Sequence, residues 1–76
     1  MDEPTFKSKL LYAEMMLDVD DRPDYWAGYR RGLRRAYHGD RFVPDAEHES
    51  WLSLAERDSD QDQQRVLGYW DGLRAE

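Results

Sequence analysis

Seventy-six residues with 17 acidic against 11 basic side chains, a net charge of −6 and no cysteine allow one small domain. They exclude disulfide staples, thiolate metal sites and cysteine nucleophiles. A composition of 39% hydrophobic and 13% aromatic residues is that of a folded chain. The acidic start Met1-Asp2-Glu3-Pro4 lacks the basic and then apolar run of a signal peptide, so a soluble, cytoplasmic domain without a membrane span is expected. So short a chain buries a small share of its surface, which favours a second copy or a partner.

The first predicted helix covers about residues 4–17, where Phe6, Leu10, Ala13 and Leu17 make one stripe and Pro4 is tolerated in the first turn. The run Asp18-Val19-Asp20-Asp21 ends it, with Asp21 placed to cap a second helix over residues 22–38. Gly39 is expected to close that helix in a left-handed conformation. The connection Gly39 to Pro44 follows, with Phe42 and Val43 packing back onto the core. Asp45 reads as the N-cap of a third helix over 46–57, and Asp60 with Gln63 as a capping box for a fourth over 60–75. No strand alternation is visible. Short connections favour antiparallel neighbours, so the expected fold class is all-α, a small four-helix domain built from two helical hairpins.

The second and fourth helices share a motif. Gly28-Tyr29-Arg30-Arg31-Gly32-Leu33-Arg34 matches Gly68-Tyr69-Trp70-Asp71-Gly72-Leu73-Arg74 at Gly, Tyr, Gly, Leu and Arg, 40 residues later. Leu11-Tyr12-Ala13-Glu14 and Ser53-Leu54-Ala55-Glu56 agree in part, and together these are what an internal duplication would leave. Each interior glycine costs a helix about 0.8–1 kcal/mol relative to alanine, so close helix packing must offset it. Gly28, Tyr29, Gly32, Leu33, Gly68, Tyr69, Gly72 and Leu73 are therefore the predicted helix-packing residues, the two glycine helices meeting each other or their hairpin partners.

The strongest candidate for function is the arginine face of the second helix. Arg30, Arg31, Arg34 and Arg35 lie opposite its aromatic stripe, with Arg22 and Arg41 flanking. Residues 22–41 carry a net +4, between segments of −4 (residues 1–21) and −6 (residues 42–76). Arginine favours planar, bidentate partners such as carboxylate or phosphate. The same side chains could instead be consumed in salt bridges to neighbouring helices. Nucleic acid is the weaker alternative, since such binding usually uses a basic domain and this one has a pI near 4.8. A third reading, in which the acidic outer segments mimic nucleic acid, has nothing to rank it higher.

Other constellations favour structure over chemistry. Asp58-Ser59-Asp60-Gln61-Asp62 opens like a calcium loop, but Gln63 stands where the turn glycine belongs and Tyr69 where the bidentate glutamate belongs. His48, spaced with Trp51, Leu52 and Ala55, is expected at the core border with a hydrogen-bonded ring, and His38 in the last turn of the second helix. The pattern Gly-Tyr-x-x-Gly-Leu, with Tyr37-His38-Gly39 and Glu47-His48-Glu49-Ser50-Trp51-Leu52, resembles that of small bacterial proteins and implies no activity. No catalytic residue, metal site or cofactor is expected. The sequence points to a protein-interaction or regulatory adaptor whose partner is an acidic protein or a second copy of itself.

Overall fold

The computed structural model describes residues 1–75, and every regular element among them is helical. They are α1 (Glu3–Val19), α2 (Pro23–His38), α3 (Asp45–Ser53) and α4 (Asp60–Leu73), with single 3-10 turns at Gly39–Arg41 and Leu54–Glu56. The all-α class and the order of four helices agree with the sequence. Several helix ends are built differently from expectation.

Asp2 caps α1, accepting from the Thr5 amide at 3.0 Å. Asp21 does not cap α2. Arg22 holds the N-cap position with no side-chain cap bond, and Pro23 begins the helix with no amide to satisfy. Asp20 is also engaged, accepting from the Trp26 indole at 2.7 Å, which holds its carboxyl below the usual range. Gly39 ends α2 at positive φ, but its ψ of −158° lies outside the left-handed helical region. That conformation is open to glycine alone and turns the chain at once into the 3-10 segment. Pro44, not Asp45, precedes α3, and α3 tightens into 3-10 geometry after Ser53 instead of running on to residue 57. Ser59 caps α4 by accepting from the Asp62 amide at 3.4 Å. The capping box does not form, because Gln63 donates to the carbonyls of Ala55 and Arg57 at 3.0 and 2.8 Å.

The dominant packing joins α2 to α4 through the repeated motif. A Cβ on Gly28 would strike the Arg65 carbonyl and the Tyr69 amide, and one on Gly68 would strike the Tyr25 carbonyl and the Tyr29 amide. Gly32 faces the Tyr69 carbonyl and Leu73 amide in the same way, and Gly72 the Tyr29 carbonyl and Leu33 amide. Each contact recurs 40 residues away with the roles of the helices exchanged. Positions rise together along both chains, so the helices run parallel, related by a local two-fold lying between them. The pairing at the centre of the fold is thus not one between consecutive antiparallel helices. Arg65 Nε donating to Asp24 at 3.1 Å and the Tyr25 hydroxyl donating to Asp71 tie the same two helices at their edges.

The other elements lean on this pair. Leu33, Val43, Val66 and Tyr69 are fully buried, with Val43 reaching the core from the α2–α3 connection as expected. Phe42 stays more than a third exposed, its ring stacked on His38. Helix α1 runs antiparallel to α2, with Phe6 stacked on Tyr37 at 4.2 Å and Tyr12 set edge-on to Trp26 at 5.6 Å. Its contribution to the core is Phe6 and Ala13. On the opposite side of Tyr69, Trp51 of α3 stacks at 5.2 Å and His48 Nδ1 lies 2.7 Å from the tyrosine hydroxyl. The whole is a slab 37 × 30 × 15 Å.

Two measurements check this account. Gly28→Ala or Gly68→Ala gains helix propensity yet forces backbones apart, so each variant is expected to lose roughly 1–3 kcal/mol of stability in urea titration. Burial and the Asp71 bond push the Tyr25 hydroxyl up to about 12, and burial also raises Tyr29 and Tyr69. These protonated tyrosines stabilise the fold in full below their unfolded value of about 10, and that stability drains away as pH rises further. Unfolding midpoints should therefore hold level up to pH ~10 and fall towards pH ~12, in step with tyrosinate absorbance.

Candidate interaction groove on the arginine face

Helix α2 lies between α1 and α3, so its arginines reach both ways. Arg31 makes a bidentate pair with Glu47 of α3, Nε to Oε2 at 2.6 Å and Nη2 to Oε1 at 2.8 Å. The Trp51 indole donates to the same carboxylate at 3.1 Å. The guanidinium and the indole together hold the Glu47 carboxyl below its ordinary range, and Glu47 in turn raises Arg31. Arg35 donates to the Val43 carbonyl at 2.6 Å and to Asp45 at 2.8 Å. Arg31 and Arg35 therefore fasten the α2–α3 connection and the start of α3.

Arg30 and Arg34 are held differently. Among the described residues their only carboxylate neighbour is Glu14 of α1, at 3.9 and 4.0 Å, too far for a hydrogen bond. Arg34 lays its guanidinium over the Phe42 ring at 5.1 Å, and its Nε is buried without a partner. The Arg30 side chain is 42% exposed and that of Arg34 29%. Two guanidinium groups thus share one half-exposed carboxylate.

Ala27, Arg30, Arg31, Arg34 and Trp51 line an open groove of about 410 Å³. A smaller apolar hollow of about 290 Å³, lined by Glu47, Ser50, Trp51, Leu54 and Arg65, also borders Trp51. Four arginines named by the sequence therefore separate into two pairs with different duties. Arg41 is exposed in the 3-10 turn and does not line the groove. The glycines, Tyr69 and Leu33 are packing residues, while Tyr29 and Leu73 are partly exposed at the edges of the helix pair.

Sequence reasoning missed Glu14, Glu47 and Trp51 as neighbours of the arginines. Glu47 and Trp51 stand four apart on a helix, which places them on one face and was a usable signal. Glu14 carried none, because its approach depends on how α1 docks. Tyr12 and Trp70 are exposed, at 53% and 37%, and neither lines the groove. Among the described residues no group of His, Asp and Glu is arranged to hold a metal ion, and no helix is long and apolar enough to cross a membrane. Comparison with protein-family models, with curated proteins and with solved structures finds no match to this chain.

The two pairs of arginines can be told apart by stability. Glu47→Ala leaves Arg31 and the Trp51 indole without their acceptor, and a loss of about 1–2 kcal/mol is expected in chemical denaturation, with red-shifted tryptophan emission from α3. Arg30→Ala, which breaks no hydrogen bond, should change stability by about 0.5 kcal/mol or less.

Proposed function

We propose that the chain is a non-enzymatic protein-interaction module of the adaptor or regulatory kind, whose arginine groove receives an acidic segment of a protein partner. The observation that carries the reading is the position of Arg30 and Arg34, which face an open groove with Glu14 near 4 Å and, among the described residues, no hydrogen-bond acceptor for either. An incoming carboxylate would give both guanidinium groups the charge-assisted bonds that Glu14 is too far away to give. The Trp51 ring supplies an apolar wall beside that anchor, the pairing of aromatic and arginine that protein interfaces favour.

The overall charge of −6 weighs against a phosphate backbone, which would meet a long-range repulsion outside the groove. A short acidic peptide carrying one apolar residue suffers less of it, since few of its charges extend past the arginines. Arg31 and Arg35 are poor sites for testing this reading, because reversing them would release α3.

Fluorescence anisotropy with a labelled peptide of glutamates flanking one leucine, and with a 20-nucleotide single strand of the same label, tests the reading. The peptide is expected to bind with moderate salt dependence, and Arg30→Glu with Arg34→Glu should weaken it by about tenfold or more. Peptide binding untouched by that double variant, or oligonucleotide binding that is tighter and collapses steeply with salt, overturns it.

A further inference from the structure

Helix α3 and the 3-10 turn after it bury no residue completely. Trp51 stacks one face of its ring on Tyr69 and, with Leu54, stays half-buried beside the apolar hollow of about 290 Å³. That volume lies at the lower edge of the roughly 300–1,000 Å³ of small-molecule sites, so it has room for one side chain. Each polar side chain lining it already has a partner. Glu47 is bonded to Arg31 and to the Trp51 indole, Ser50 donates to the Ala46 carbonyl at 3.0 Å, and Arg65 donates to Asp24 and Asp62, both at 3.1 Å.

What the hollow offers a guest is therefore the Trp51 ring, Leu54 and the aliphatic stem of Arg65. An anion there would have to compete with Glu47, Asp24 and Asp62 for cations they already hold. The arginine groove is the reverse, a cationic site whose Arg30 and Arg34 are held by no hydrogen bond from a carboxylate among the described residues. The two cavities adjoin. Trp51 lines both, and the Arg31–Glu47 pair stands between them, its arginine on the groove and its glutamate on the hollow.

We propose, resting on the function proposed above, that the hollow is the specificity pocket of the same interface. The acidic segment that sets a carboxylate on Arg30 and Arg34 passes over Trp51 and places one aliphatic side chain of leucine size against Trp51 and Leu54. Only the Trp51 ring and one ion pair separate the two cavities, so the carboxylate and the aliphatic residue are near neighbours in the partner's sequence. The groove by itself would accept any short anion. The hollow distinguishes a segment that carries an aliphatic residue from a purely acidic one, because only the former removes the exposed ring and leucine from water. A free small molecule fits less well, since the hollow has no unpaired polar side chain to orient it.

Fluorescence anisotropy of the full chain with two labelled peptides tests this, one of glutamates flanking a leucine and the other with alanine in the leucine's place. The leucine peptide is expected to bind about tenfold tighter, from the extra apolar surface it buries. Leu54→Gln should bring the two peptides to within about twofold of each other, while Arg30→Glu with Arg34→Glu weakens both. Amide NMR spectra of the unaltered chain give a second readout, in which the leucine peptide shifts Ser50 and Leu54 and the alanine peptide leaves them nearly in place. Equal affinity for the two peptides, still sensitive to Arg30→Glu with Arg34→Glu, overturns the pocket and leaves the groove standing. Failure of both peptides to bind overturns the two together. A leucine preference that survives Leu54→Gln also overturns the proposal, as do Ser50 and Leu54 amides that move with protein concentration alone, which would put a second copy of the chain in the hollow.

Discussion

The rest of the structure hangs on backbone meeting backbone between α2 and α4. Ordinary helix pairs are kept 8–10 Å apart by the side chains between them, and at this crossing glycine removes those side chains. Four interior glycines forfeit roughly 3–4 kcal/mol of helix propensity at about 0.8–1 each. Their return is a row of close carbonyl and amide contacts at Gly28, Gly32, Gly68 and Gly72, with dispersion and Cα–H···O attraction over the full seam. Tyr69 and Tyr29, related by the local two-fold, project to opposite faces. Tyr69 meets His48 and Trp51, whereas Tyr29 meets Tyr25 and Trp26.

With α4 fixed along one side of α2, the arginines are left to hold what remains. Arg31 and Arg35 bind Glu47, Asp45 and the Val43 carbonyl, so the longest connection in the chain is tied down by charge as well as by the buried Val43 side chain. The acidic excess of the last third of the sequence is thereby partly internal. What is left over at Arg30 and Arg34 is a cationic groove on an acidic protein, a local departure in charge that neighbouring anionic surface accentuates.

Periodicity located the four helices because each carries an apolar face at the period of 3.6, and the Gly-x-x-x-Gly repeat located the closest contact for steric reasons. The parallel sense of that contact was not legible. Short loops dictate antiparallel neighbours between consecutive helices, and α2 and α4 are separated by a whole helix, so the rule does not reach them. The caps expected at Asp21, Asp45 and Asp60 were displaced by contacts that no local pattern reveals. The Trp26 indole takes Asp20 beside Asp21, Arg35 of α2 takes Asp45, and Ser59 caps α4 while Gln63 is drawn to the Ala55 and Arg57 carbonyls. The division of the arginines was equally hidden, since it depends on where Glu14 and Glu47 arrive.

Helix α1 gives less to the core than α2 or α4, and it also carries the carboxylate that faces the groove. It gives Phe6 and Ala13 to the core, against Trp26 and Leu33 with two buried glycines from α2 and Val66 and Tyr69 with two from α4. Glu14, the sole carboxylate among the described residues to face Arg30 and Arg34, is carried by it. Because Glu14 stands near 4 Å from both arginines without bonding either, α1 is held on α2 by the Phe6–Tyr37 and Tyr12–Trp26 ring contacts and by Ala13 far more than by charge, and the guanidinium groups keep their hydrogen-bonding capacity.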